Sequence, residues 1–354
     1  MSVRRNMIEI GGRPVGTNAA PFFIAEMSGN HNASLDRALE IVDAIADTGA
    51  HALKLQTYTA DTMTLDIRDG DFLIDDPKSL WHGRTLYDLY EEAHTPWAWH
   101  EPIFERARKR GMLAFSTPFD PTAVDFLASL DVPCYKIASF ENADLPLIHK
   151  AASQGKPLII STGMASLSEI GETVATARAA GCEQIVLLKC TSAYPASPSE
   201  INLMSIPHLR EAFGTEVGLS DHTMGIGVAV AAVALGASVI EKHVTLRRAD
   251  GGVDSAFSME PDEVRMLIKE TAVAQQAIGS VRYGRGLQEE GSVRFRRSLY
   301  VVTDIKAGEA FSAQNVRAIR PGMGLLPKHT EHVMGRKAAR DIKRGTPMSW
   351  DLLS

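Results

Sequence analysis

Eight short apolar runs rich in β-branched residues, each followed by a stretch of helical periodicity, constrain this chain more than any other feature. The runs are Phe22–Met27, Ala52–Thr57, Leu113–Pro118, Cys134–Ser139, Pro157–Thr162, Ile185–Cys190, Glu216–Asp221 and Ala237–Thr245. After the first, Leu35, Leu39, Val42 and Ile45 share one helical face; after the fifth, Val174, Ala177 and Arg178 continue a similar stripe. Gly49, Gly111, Gly155, Gly181 and Gly236 fall where helices should stop before the next strand. Parallel strands need a long return path, so a strand-then-helix alternation implies an α/β fold with crossover helices. Eight such units predict a closed (β/α)8 TIM barrel. An open doubly wound sheet is the structural alternative.

In such a barrel every strand delivers its C-terminal end to one face, where chemistry sits. The runs end in polar residues that would converge there. Run one ends in Glu26, run two carries Lys54 and Gln56, and run three ends Ser116-Thr117-Pro118. Run four carries Lys136 and ends in Ser139, with Glu141 just after, and run five ends Ser161-Thr162-Gly163. Run six leads into Thr191-Ser192-Ala193-Tyr194, run seven ends Ser220-Asp221-His222, and run eight carries Glu241, Lys242 and His243. Strand ends are also polar simply where they meet solvent. That accounts for a serine or two, but poorly for lysines and histidines embedded in apolar strands, because isolated buried charges are costly.

Composition narrows the function classes. The 354 residues are 45% hydrophobic and 23% charged, a globular balance with ample core. A net charge of −6 leaves no basic excess for a nucleic-acid partner. The longest small and apolar run, Gly227–Ile240, is too short to span a bilayer, so no membrane partner is expected. Met1–Arg5 has no apolar stretch after it, so no export signal is expected. Three cysteines without metal spacing fit a reduced, cytoplasmic chain. Between the second strand and its helix lies a long insertion, Tyr58–His94, whose aromatics argue for order: a lid or substrate wall, or a docked loop with a small helix at Thr85–Ala93. The barrel is expected to occupy 1–283, a linker 284–297, and a small β-rich domain 298–354. In that tail Asp304-Ile305-Lys306-Ala307-Gly308 and Asp341-Ile342-Lys343-Arg344-Gly345 form an imperfect repeat of strand–turn units. Under ~70 residues its core is marginal, so it should lean on a larger body, its own barrel or a partner's.

Lys54 and Lys136, with the hydroxyls of Thr117, Ser139, Ser161 and Ser220, make a phosphate cradle. Neither a P-loop nor a strand-linked G-x-G-x-x-G occurs, so the phosphate belongs to something smaller than a nucleotide. His222 and His243, at the ends of consecutive strands, suit a catalytic divalent metal with open positions, oriented by Asp221 and Glu241. The alternatives are two hydrogen-bonded core histidines and, for the chemistry, a Schiff base on Lys54 or Lys136.

These residues lie in motifs that resemble the sialic acid synthase family, which condenses phosphoenolpyruvate with an amino sugar. The motifs are Ile24-Ala25-Glu26 with Asn30-His31, Lys54-Leu55-Gln56-Thr57, Ser116-Thr117-Pro118-Phe119, Tyr135-Lys136-Ile137-Ala138-Ser139, Ser161-Thr162-Gly163-Met164, Gly218-Leu219-Ser220-Asp221-His222-Thr223 and Ile240-Glu241-Lys242-His243. The tail resembles that family's antifreeze-like (SAF) domain, marked by Ile319-Arg320-Pro321-Gly322. Ala138-Ser139-Phe140-Glu141, Ser192-Ala193-Tyr194-Pro195, the Leu80-Trp81 insertion and Phe295–Tyr300 are similar to the branch that makes pseudaminic acid. The resemblance implies that Lys54, Thr117, Lys136, Ser139, Ser161, Ser192 and Ser220 hold phosphoenolpyruvate. It implies that Gln56, Tyr194, Asp254 and Arg320 contact the sugar, and that Glu26, Lys54 and Glu141 act in catalysis. His222 and His243 would bind Mn²⁺ or Mg²⁺, with Co²⁺ a further option. The family docks its SAF domain over the other subunit's barrel, so a domain-swapped homodimer with Arg320 acting in trans is expected.

Overall fold

The computed structural model describes residues 8–17 and 19–354. Met1–Arg5, where no export signal was expected, lies outside them. The chain divides into two compact units between Gly279 and Ser280.

The first unit opens with an antiparallel hairpin, β1 (Ile8–Ile10) and β2 (Arg13–Val15), whose Ile8, Ile10 and Val15 are buried in the main core. Arg13 donates to the Gly111 carbonyl just before a barrel strand begins, which places the hairpin at the N-terminal end of the barrel. Sequence periodicity offers no sign of it, because strands of three residues are too short to show alternation.

Eight parallel strands follow: β3 (Phe22–Glu26), β4 (Ala52–Thr57), β5 (Leu113–Pro118), β6 (Tyr135–Ile137), β7 (Leu158–Ser161), β8 (Ile185–Cys190), β9 (Glu216–Ser220) and β10 (Val239–His243). They pair in the order β5-β4-β3-β10-β9-β8-β7-β6, and the terminal pair β5 and β6 lie side by side to bring the barrel close to closure. All eight runs expected from the sequence are strands, and the barrel, not the open sheet, is the fold.

The crossover helices are α1 (Leu35–Ala46), α4 (Trp97–Lys109), α5 (Pro121–Ser129), α6 (Leu145–Ala152), α7 (Leu167–Ala179), α8 (Ser205–Phe213), α9 (Gly227–Ala234) and α10 (Pro261–Ile278); α2 (Ala60–Met63) and α3 (Leu86–Ala93) belong to the insertion. Their starts are written in side chains. Ser34 caps α1, Asp120 caps α5 ahead of Pro121, and Ser166 with Glu169 forms a capping box on α7. At their ends Gly111 and Gly181 take φ of 82° and 91°, where a side chain would be strained. The buried stripes differ from the expected ones by a small rotation. On α1 the buried residues are Ala38, Ile41, Val42 and Ile45, with Leu35 and Leu39 at the edge. On α7 they are Ile170, Thr173, Val174 and Ala177, while the Arg178 guanidinium reaches the Phe213 carbonyl. No helix among the described residues is long and apolar enough to cross a membrane.

The second unit, Ser280–Ser354, has its own core of Leu299, Val301, Ile305, Phe311, Val316, Val333, Ala338, Ile342, Met348 and Leu352. β11 (Ser298–Val301) pairs antiparallel with β12 (Val316–Ile319), and the short α11 spans Thr330–Val333. The imperfect repeat closes on itself. Ile305 and Ile342 exchange backbone hydrogen bonds of 2.9 and 2.8 Å. Asp341 accepts from Lys306 and the Ala307 amide, and Asp304 accepts reciprocally from Lys343 and the Arg344 amide.

Candidate active site

Side chains alternate across a strand, so every second residue of each barrel strand points into the barrel. On β4 that set includes Lys54 and Gln56; on β10 it includes Glu241 and His243, while Lys242 points to the helices. The inward polar residues nearest the C-terminal ends meet in a buried charge cluster. Lys54 Nζ lies 2.5 Å from Glu26 Oε2 and 3.8 Å from Glu241 Oε2, and donates to Thr117 Oγ1 at 3.1 Å. Lys136 Nζ lies 3.7 Å from Glu241 Oε1 and donates to Ser161 Oγ at 2.7 Å. Ser220 Oγ donates to Glu241 at 3.1 Å.

The cluster holds together because each charge offsets another. Removing an ammonium from water costs several kcal/mol. An opposite charge at about 4 Å returns about 4 kcal/mol at an effective dielectric near 20. The balance falls unevenly on the two carboxylates. Burial pushes Glu26 up to about 7, against the pull of Lys54, and the neighbouring Glu241 charge pushes it further. Burial also opposes ionisation of Glu241, but Lys136 and Lys54 together hold it below the usual carboxylate range. Burial would strip the Lys54 proton, yet Glu241 and Glu26 hold its pKa above the ordinary value; for Lys136 burial wins and the shift is downward. With Glu26 half protonated near neutrality, the cluster keeps spare positive charge for an anion.

Beside the cluster sit two imidazoles. His222, just past β9, and His243, at the end of β10, have ring centroids 5.4 Å apart. His222 Nδ1 donates to the Thr191 carbonyl at 3.0 Å, which leaves the Nε2 lone pair free. His243 Nδ1 is buried with no hydrogen-bond partner among the described residues and lies 3.7 Å from Asp254 Oδ2. Burial, followed by the His222 charge, keeps His243 neutral well below its ordinary pKa. Two imidazoles on adjacent strands, one of them kept neutral with an orphaned nitrogen beside a carboxylate, fit an open divalent-cation site. Among the described residues no group of three or more His, Cys, Asp or Glu lies close enough to hold a metal ion.

The orienting groups differ from those expected. Asp221 accepts from the buried Lys242 at 2.8 Å and from Thr223, and Glu241 faces the two lysines; neither bonds an imidazole. Strand alternation is the reason: Asp221 follows inward Ser220 and so faces outward, while Glu241, two residues below His243, sits one layer deeper.

Aromatic rings wall the imidazoles. Tyr194 lies 4.4 Å from His222 and 5.2 Å from Phe257, and Phe257 lies 5.0 Å from His243. Trp81 from the insertion lies 5.9 Å from Tyr194 and donates to the Val253 carbonyl at 3.0 Å. The insertion therefore walls the mouth and carries the expected small helix, α3. Asp254 accepts from Ser28.

On consecutive strands β6, β7 and β8, the loops bring Ser139, Gly163 and Ser192 together. The Gly163 amide donates to Ser139 Oγ at 3.1 Å, and a side chain at Gly163 would overlap both serine hydroxyls. This bare backbone between two hydroxyls is a concavity suited to an anion. Gln56 is half-buried one layer above Lys54. Glu141 follows β6, with one carboxylate oxygen buried and unpartnered among the described residues. Arg320 belongs to the second unit, exposed just past β12. Sequence reasoning missed Phe257 and the counter-ion role of Glu241. For Glu241 the signal was present, since it sits at an inward position two residues before His243; Phe257 lies in a loop with no periodicity to mark it.

The NeuB family model matches residues 41–283, and the SAF domain model matches 296–354. The chain is 43% identical to the pseudaminic acid synthase of Campylobacter jejuni subsp. jejuni serotype O:2, over 93% of this chain and 95% of that protein. It is 42% identical to the pseudaminic acid synthase of Helicobacter pylori, over 94% of this chain and 97% of that one. Its fold is similar to the crystal structure of N-acetylneuraminic acid synthetase from Leptospira borgpetersenii, with TM-score 0.73, 31% identity, and coverage of 82% of this chain and 96% of that one. The chain belongs to the NeuB family and ends in a SAF domain.

Proposed function

We propose that this chain is a pseudaminic acid synthase. It condenses phosphoenolpyruvate with 2,4-diacetamido-2,4,6-trideoxy-altrose and water, releasing phosphate by C–O cleavage. The assignment is carried by one mouth that joins a spare-cation cluster to a facing imidazole pair, in a chain 43% identical to pseudaminic acid synthases over 93% of its length.

Lys54 and Lys136 attract the phosphate and carboxylate of phosphoenolpyruvate, and Thr117 and Ser161 already bond those ammonium groups and fix their aim. The Ser139–Gly163–Ser192 concavity and Ser220 add short donors. His222 and His243 would hold a divalent ion, Mn²⁺ or Mg²⁺, which when bound supplies Lewis acidity toward the aldehyde oxygen. Glu26, poised near 7 beside Lys54, is placed to take or give a proton as water adds, and Glu141 is the second candidate with the same poise. Asp254, Gln56 and Tyr194 face the mouth as sugar contacts.

The functional unit is a homodimer in which one protomer's SAF domain covers its partner's mouth and Arg320 reaches the sugar in trans. An apolar rim supports this: Phe140, Met164, Met204 and Met224, all exposed, sit on the loops after β6, β7, β8 and β9. Three free, buried cysteines fit a cytoplasmic, reducing setting.

Phosphate release from phosphoenolpyruvate, measured with a panel of amino sugars with and without chelator, tests the proposal. Release should require the diacetamido trideoxy sugar and fall to background with chelator. Equal turnover of N-acetylmannosamine, or full activity with chelator present, counts against it.

A further inference from the structure

The indole of Trp81 is fixed at both ends. Its Nε1–H is spent on the Val253 carbonyl, next to Asp254, and its ring leans on Tyr194 with centroids 5.9 Å apart at 54°. The turn that carries it is tied down: the Trp81 amide donates to Ser79 Oγ, the Gly83 amide to the Ile74 carbonyl, and the Ile74 amide to the Arg84 carbonyl. Gly83 takes φ 81°, which suits this turn to glycine. Trp81 is half-buried, so it covers Tyr194 on one side and presents ring surface on the other. With its one polar atom already satisfied, that surface is wholly apolar. Tyr194 and the buried Phe257 extend the apolar surface to the two imidazoles. The aromatic face thus runs outward from the imidazoles, 4.4 Å from His222 to Tyr194 and a further 5.9 Å to Trp81, so a six-carbon sugar with its aldehyde end at the imidazoles would bring its far end to Trp81.

We propose that Trp81 is a specificity-determining residue, whose apolar face selects sugars bearing a methyl where others bear a hydroxymethyl. The inference rests on the activity proposed above. A methyl packed on this face leaves water, whereas a hydroxymethyl there surrenders hydrogen bonds the face cannot return. An apolar pocket discriminates at this level by about 10- to 100-fold in kcat/KM. Trp81 also pins the Val253 carbonyl, and hence the Asp254 loop, so a second variant is needed to separate surface from anchorage.

The test measures phosphate release for wild type, Trp81→Ala and Trp81→Gln with the 6-deoxy diacetamido sugar and with its 6-hydroxylated counterpart, 2,4-diacetamido-2,4-dideoxy-altrose, with N-acetylmannosamine as a control of the activity itself. The glutamine offers an amide N–H for Val253 but a polar surface. In both variants the kcat/KM ratio of deoxy to hydroxylated sugar should fall about tenfold, with KM for phosphoenolpyruvate within about twofold of wild type. Variants that lose activity equally on both sugars, keeping the wild-type ratio, overturn the role of Trp81. If Trp81→Ala misfolds, the ratio for Trp81→Gln decides alone. Wild type with equal kcat/KM on the deoxy and hydroxylated diacetamido sugars overturns the selection by Trp81, whereas wild type that turns over N-acetylmannosamine as fast as the deoxy sugar overturns the proposed activity itself, a failure seen before any variant is made.

Discussion

Glu141 sits in the turn after β6 with one carboxylate oxygen buried and unpartnered among the described residues, and burial raises it to about 7 against the pull of Lys136. The sign of its effect on stability follows from proton counting. Between the ordinary carboxylate value and about 7, the folded chain keeps a proton that the unfolded chain has lost. Its contribution is therefore full at low pH and drains away as pH rises through that window. Urea unfolding of wild type and Glu141→Gln should show this: the wild-type midpoint falls relative to the variant's between pH 5 and 7.5. A difference that stays constant with pH would show that Glu141 has an ordinary pKa. At this scale residue identity was legible in the sequence but pairing was not. Asp221 and His222 are adjacent in the chain, yet one bonds Lys242 outside the barrel and the other faces His243 within it.

Between strands, two glycines make opposite demands on the same substitution. A Cβ on Gly218, in the middle of β9, would overlap the Val239 carbonyl oxygen and come within 2.7 Å of Val239 Cβ on β10. Backbone cannot step aside, so Gly218→Ala should destabilise by about 1–3 kcal/mol in urea unfolding. A Cβ on Gly163 would meet the hydroxyls of Ser139, at 2.7 Å, and Ser192. Those side chains can rotate away, so Gly163→Ala should leave stability within about 0.5 kcal/mol and raise KM for phosphoenolpyruvate about tenfold, through disturbed hydrogen bonds to an anion. Stability lost at Gly163, or affinity lost at Gly218 with stability intact, would reverse the two assignments. The elements themselves were legible, since apolar runs, caps and stop glycines all report locally. The β1–β2 hairpin was not, because its three-residue strands are held by packing against the barrel end.

Taken whole, the molecule is two units, each with its own core, and the smaller buries only ten apolar residues in its cluster. A core that small is marginal alone, in keeping with the proposed dimer. A mixed dimer of Arg320→Ala and Lys54→Ala chains tests it: both homodimers should be nearly inactive, and mixing should restore roughly a quarter of wild-type activity per site if Arg320 acts in trans. No restoration would place Arg320 outside the partner's site. The barrel, the strand ends that bear its polar groups, and the strand–turn repeat of the tail are legible in the chain, because hydrophobic period and turn chemistry are local properties. Which strand-end groups face one another emerges with folding: Glu241 serves the two lysines and not the histidines, Asp254 reaches His243, and Trp81 leans on Tyr194. Those meetings join residues far apart in the chain, and strand register together with barrel curvature, which no local pattern encodes, sets them.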